Sequence, residues 1–105
     1  MTTHRTRRYA NHIYRLRKSR GYGQKVLARL VGRRSAKTIS HYETGAVLPP
    51  LHTALLLEIA LGARLSEIYL DLYHELEQQA MDREGTLPPT YRQHIRGRVL
   101  GEEDT

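Results

Sequence analysis

The chain has 105 residues and no cysteine. This length suits one domain with an appended arm, and the absence of cysteine excludes disulfide and thiolate chemistry and points to a reducing cytoplasm. No apolar run approaches the roughly 18 residues of a membrane span, and the basic N-terminus has no apolar segment behind it, which argues against a signal peptide. The net charge of +6 is unevenly spread: residues 1–45 carry twelve Lys/Arg and the single acid Glu43, whereas residues 46–105 carry five Arg and ten acids, so the first half attracts a polyanion and the second half faces away from it.

The elements read as helices throughout, with no alternating run of the strand kind. Residues 1–8 form a basic arm containing Arg5, Arg7 and Arg8. Tyr9, Ile13 and Leu16 stand at helical spacing, and Gly21 stops that first helix. Gln24 to Val31 makes a second, with Leu27, Ala28 and Val31 on one face and Gly32 at its end. Ser35 can cap a third helix, which turns Ile39 and Tyr42 inward and ends at Gly45. Pro49-Pro50 leads into a fourth helix that begins at about Pro50 and runs to Gly62. It is apolar nearly all round, as a central helix should be. Ser66 can cap a fifth helix of about 19 residues, roughly 28 Å long, ending before Gly85. Its length exceeds what a five-helix globule needs, so its second half projects toward another partner. The tail beyond Pro88-Pro89 can form a short amphipathic helix with Tyr91, Ile95 and Val99 aligned. The expected division is therefore a basic arm over 1–8, a compact domain over 9–70, and an extension and tail over 71–105.

Helix, glycine, turn, helix, then Tyr42-Glu43, Gly45 and Pro49 resembles the helix-turn-helix family of phage repressors and Cro, the XRE type. Leu16-Arg17, Gly21, Gln24, Leu27-Ala28, Val31-Gly32, Ser35, Thr38-Ile39-Ser40, Leu51 and Gly62 complete the match, over about Tyr9 to Tyr69. The resemblance implies an all-α fold, a five-helix repressor/Cro-like domain here followed by an extended fifth helix and a C-terminal arm. Three positions depart from the pattern. The turn from Gly32 to Ile39 is one residue longer than the commonest form, Gly23 replaces the usual Ser or Asn cap, and Glu58 replaces a small apolar residue. The longer turn and Glu58 resemble a bacterial subgroup of small stand-alone regulators.

The expected ligand is double-stranded DNA. The major groove, about 12 Å wide, admits one helix, and the third helix enters it while the second crosses the backbone. With Ile39 and Tyr42 inward, Ala36, Lys37, Ser40, His41 and Thr44 lie on the other face, and the resemblance implies that Ala36, Lys37, Ser40 and His41 read bases. Lys37 can donate to guanine O6 and N7 or to a phosphate, His41 can donate or accept, and Ala36 can only pack, on a thymine methyl. Gln24, Lys25, Arg33, Arg34, Ser35, Thr38 and Thr44 are assigned to phosphates, which fix register without reading sequence. The resemblance further implies an ion pair between Arg17 and Glu43 that orients Arg17 toward a phosphate.

One helix reads too few base pairs to select a genomic site, so a homodimer on a two-fold operator is expected. Tyr69, Leu72, Tyr73, Leu76 and Ala80 are the candidate interface, with Tyr91 and Ile95 wrapping the partner. The functional expectation is a cytoplasmic transcriptional regulator, a dimeric repressor, and the alternative is an antitoxin that binds a toxin protein as well as its operator. The six His have no metal-ligand spacing and Ser35 and Ser40 have no attendant base, so no enzyme activity, metal, cofactor or membrane partner is expected.

Overall fold

The computed structural model describes residues 8–91. The basic arm before Arg8 and the tail after Tyr91, including Ile95, lie outside them. Every regular element among the described residues is helical: α1 (Ile13–Ser19), α2 (Gln24–Leu30), α3 (Ala36–Glu43), α4 (Leu51–Leu61), α5 (Leu65–Ile68), α6 (Leu70–Glu84) and a single 3-10 turn (Pro89–Tyr91). The fold is all-α, as expected. The chain divides into two compact units, one ending at Asp71 and the other beginning at Leu72.

In the first unit α2 and α3 pack most closely, α1 lies against α3 and α4, and α4 also meets α2 and α5. Ile13, Leu27, Val31, Ile39, Leu57, Leu61 and Ile68 are sealed from solvent at their centre. Full burial of each aliphatic side chain is worth about 1.5–3 kcal/mol, so this cluster sets the positions of the short helices, none of which would persist alone at seven or eight residues.

Local chemistry sets the helix ends. Ser35 Oγ accepts from the Lys37 N–H at 3.0 Å and caps α3. At the other end of α3, the Gly45 N–H donates to the Tyr42 carbonyl and the Ala46 N–H to the His41 carbonyl, the paired bonds of a Schellman turn. Gly45 has φ +79°, and a Cβ there would lie 2.8 Å from the Tyr9 carbonyl oxygen. The site therefore demands glycine twice over, once for the backbone angle and once for the close approach of the preceding segment.

Three expectations need correction. Tyr9 is not part of α1, which begins at Ile13. Asn11 Oδ1 accepts from the Ile13 N–H at 3.0 Å, and the Tyr9 N–H donates instead to the Gly45 carbonyl at 3.0 Å. The long fifth helix is two helices that break at Tyr69 (φ −114°, ψ 55°). In a continuous helix the Ile68 carbonyl would accept from Leu72; here it accepts from the His12 N–H at 2.9 Å, and Ile68 and Tyr69 are both buried. Nor does Ser66 cap α5. Arg64 holds that position, and Glu67 Oε1 accepts from its N–H at 3.0 Å.

The unusual Glu58 has a local explanation. Its Oε1 accepts from the Leu65 N–H at 3.1 Å, satisfying one of the amides that α5 leaves open at its start.

Candidate nucleic-acid interface

The three helices that present the basic half of the chain meet at one carboxylate. Glu43, the last residue of α3, receives the Arg17 Nε from α1 at Oε2 and the Arg17 Nη2 at Oε1 at 3.3 Å. Gln24 Nε2, opening α2, donates to the same Oε1 at 2.9 Å. Arg17 Nη1 donates to the Tyr22 carbonyl at 2.9 Å, so every nitrogen of this guanidinium has a partner within the chain. Arg17 is only 6% exposed. A buried pair with all its groups engaged fixes geometry, and here it fixes how α1, α2 and α3 stand to one another.

This arrangement redistributes the roles expected from sequence. Arg17 serves as an internal strut, with little surface left for a phosphate. Gln24 is tied to Glu43 through its amide nitrogen. Lys25, Arg33, Arg34 and Ser35 are exposed, and Thr38 is half-buried. Thr44 is exposed at the end of α3 and its Oγ1 donates to the His41 carbonyl at 3.1 Å. Arg33 follows a turn in which Gly32 takes φ +74° and the Arg33 N–H returns to the Ala28 carbonyl at 2.8 Å.

α3 turns Ile39 and Tyr42 into the core. Lys37 and His41 are therefore exposed on the opposite side, with Ala36 and Ser40 half-covered beside them. Along one helix these positions are separated by one, four and five residues, which places them on a single face. Between Arg8 and Gly45 the described residues carry ten Lys/Arg, all exposed except Arg17, and the sole acid is the occupied Glu43. This stretch of the chain is therefore cationic with no unoccupied acid of its own, and exposed Lys/Arg displace counterions from a phosphate backbone.

Two contributors were not singled out from sequence. Asn11 Nδ2 donates to the Tyr9 carbonyl at 2.9 Å and to the Tyr42 carbonyl at 2.8 Å, tying the entry of α1 to the end of α3. Its position two residues before the helix was the available signal. Tyr14, one turn before Arg17, lies with its ring centroid 5.2 Å from the Arg17 guanidinium and 5.9 Å from Lys18 Nζ, a cation–π arrangement.

The expected interface residues divide between the two units. Tyr69 is a correction: it is 7% exposed and its ring belongs to the core of the first unit, so it offers no face to a partner. Burial, with a smaller contribution from nearby Tyr42, pushes its phenol well above the usual tyrosine range. Its hydroxyl has no hydrogen-bond partner. Leu72 and Ala80 are half-buried in the second unit, and Tyr73, Leu76 and Tyr91 are exposed.

A short helix set by a buried strut, with a polar outward face in a cationic surround, defines a double-stranded DNA-binding module. The helix-turn-helix family model matches residues 13–68, more than half of the chain. The protein belongs to this family, in its XRE/Cro-like form, and is a DNA-binding transcriptional regulator. No curated protein and no solved structure matches the chain. Among the described residues no helix is long and apolar enough to cross a membrane.

Proposed function

We propose that the protein is a dimeric, sequence-specific repressor that binds a two-fold operator in the cytoplasm, at the promoter of its own gene, with α3 in the major groove. The observation that carries this reading is the outward row of Ala36, Lys37, Ser40 and His41 on a helix whose orientation is held by the Arg17–Glu43–Gln24 network. In that pose Lys37 and His41 reach base edges, Ser40 allows close approach, and Ala36 packs on a thymine methyl. Lys25, Arg33, Arg34 and Thr44 hold phosphates on either side. Two chains pair through the stripe of Leu72, Tyr73, Leu76 and Ala80, and their two copies of α3 read half-sites about 34 Å apart. Repression follows from occupying the promoter.

The test is a titration of the upstream intergenic duplex against a scrambled duplex of equal length, at two salt concentrations. Tight, sequence-dependent binding to a symmetric site is expected. Lys37→Ala and His41→Ala should each lower specific affinity by about 1–3 kcal/mol while sparing the scrambled duplex. Arg34→Ala should weaken both and reduce the salt slope by about 0.9. Weak, salt-steep binding to both duplexes by the unaltered chain would overturn the reading and favour the antitoxin alternative, in which a toxin partner carries the specificity.

A further inference from the structure

The resemblance assigns Arg17 to a phosphate, and the fold closes that route. Glu43 and the Tyr22 carbonyl engage all three nitrogens of its guanidinium, and the residue is 6% exposed. The groups that flank it on α1 are in the opposite condition. The Tyr14 ring centroid lies 5.2 Å from the Arg17 guanidinium and 5.9 Å from Lys18 Nζ, so two cations converge on one ring. Only one of them is balanced. Arg17 has Glu43, whereas among the described residues neither Lys18 Nζ nor the Tyr14 hydroxyl has a hydrogen-bond or ion-pair partner. Tyr14 is 57% exposed, and Lys18 is exposed beside it.

We infer that Tyr14 and Lys18 form a clamp on α1 for one phosphate of the DNA backbone, and that it takes over the contact withdrawn from Arg17. The ammonium supplies the charge, and the phenol O–H is a second donor to the same phosphate. Three arguments support this assignment. First, position: the two residues stand one helical turn apart and on either side of Arg17, at the point where α1, α2 and α3 meet. Gln24, which opens α2, donates to the same Glu43 carboxylate, so the clamp borders the start of the helix that crosses the DNA backbone. Second, preorganisation: the negative face of the ring restrains an ammonium on a long, flexible stem, and a restrained side chain loses less freedom on binding. Third, charge: between Arg8 and Gly45 the sole acid is Glu43, already occupied, so the chain near Lys18 supplies no counter-charge and a phosphate does. Arg15, the remaining cation on the body of α1, stands almost opposite Arg17 around the helix. It is exposed, and it shares no ring.

The inference rests on the reading above, in which α2 lies along the backbone, and deepens it. Arg17 fixes the three helices from within, and its neighbours on α1 carry the contact to the nucleic acid.

The full-length chain and the variants Lys18→Gln, Tyr14→Phe and Arg15→Gln are titrated with the upstream duplex and with the scrambled duplex over a series of salt concentrations. Lys18→Gln should weaken binding to both duplexes and reduce the salt slope by about 0.9. Tyr14→Phe keeps the ring over both cations and removes only the hydroxyl. It should weaken binding to both duplexes roughly fivefold at an unchanged slope. Arg15→Gln should leave the slope where it is. The altered side chains are exposed, so the thermal midpoints should match that of the natural chain and the losses then report binding. An unchanged slope for Lys18→Gln, or an equal loss of slope for Arg15→Gln, would overturn the clamp and make α1 a diffuse source of charge. Natural affinity in Tyr14→Phe would overturn it as well, leaving the ring as a cover for the strut. A phosphate contact reads no base, so its loss registers on the scrambled duplex even if the unaltered chain shows no sequence preference. Failure of the repressor reading therefore leaves the clamp measurable, and failure of the clamp leaves sequence-dependent binding by the unaltered chain standing.

Discussion

The unit ending at Asp71 and the unit beginning at Leu72 solve the problem of burial in opposite ways. The first hides seven large aliphatic side chains and one ion pair behind five helices of four to eleven residues. The second contains most of the 15-residue α6, yet among its described residues only Glu84 is buried, and Leu76, Leu87 and Tyr91 are exposed. Short helices persist when packing supplies what propensity does not, and a longer helix can stand with its apolar side open. The first unit should therefore be sensitive to changes inside it, and the second to changes that leave the isolated chain unmoved.

The largest effect should come from Glu43→Ala. It strands the Arg17 guanidinium in a buried position and releases Gln24 at once. Removing one partner of such a pair costs about 3 kcal/mol or more, which urea denaturation will read as a lower midpoint at unchanged slope. A loss under about 1 kcal/mol would mean that the network is solvated and that some other contact orients α3. Gly45→Ala should come next, at roughly 2 kcal/mol, from the left-handed backbone angle together with the clash against Tyr9. Gly85→Ala is the control from the second unit. Its φ is not in the left-handed region, and the added Cβ would meet the Asp82 carbonyl oxygen at 3.3 Å; the cost there should be much smaller.

Tyr69→Phe should have a smaller effect and the opposite sign. The buried hydroxyl has no partner, so its removal should stabilise the fold by about 1 kcal/mol. The phenol is also held protonated to higher pH in the folded chain than its ordinary value of 10.0. Above pH 10 the unfolded chain releases this proton first, so stability falls as pH rises toward the folded value, and below pH 10 the group contributes no pH dependence. Denaturation of the natural chain and of Tyr69→Phe at pH 8 and pH 11 checks this: the advantage of the variant should be larger at pH 11. An equal advantage at both would place the tyrosine hydroxyl in water.

Much of this architecture was legible because it depends on local chemistry. Gly21, Gly32 and Gly45 mark helix ends, each with positive φ; Ser35 caps α3; and the spacing of Ile39 and Tyr42 turns Lys37 and His41 outward. The Arg17–Glu43 pair was implied by the family resemblance, not by spacing. What escaped notice depends on contacts between distant segments. The break at Tyr69 follows from the bond between His12 and Ile68, 56 positions apart. The second tie of Asn11 reaches the Tyr42 carbonyl 31 positions away. Neither bond leaves a periodic trace in the residues between. Glu58 is an oddity in the sequence, and its role depends on the chain turning back to offer the Leu65 amide.

The smallest expected effect on stability is the sharpest test of the comparison. Leu76 lies on α6 in the second unit and is half-exposed. Replacing it with glutamine removes little buried surface from the isolated chain and keeps helix propensity nearly constant, so monomer stability should change by less than about 0.5 kcal/mol. If this stripe joins two chains, Leu76→Gln should nonetheless shift self-association to higher concentration in sedimentation experiments. Leu30→Gln serves as the reference, because Leu30 is exposed to a similar degree on α2 of the first unit. A leucine at the centre of a packed interface owes its contribution to the neighbour that covers it, so the two substitutions should look alike in dilute denaturation and differ only where chains meet. Equal self-association of both variants would make the exposed side of α6 an ordinary solvated surface.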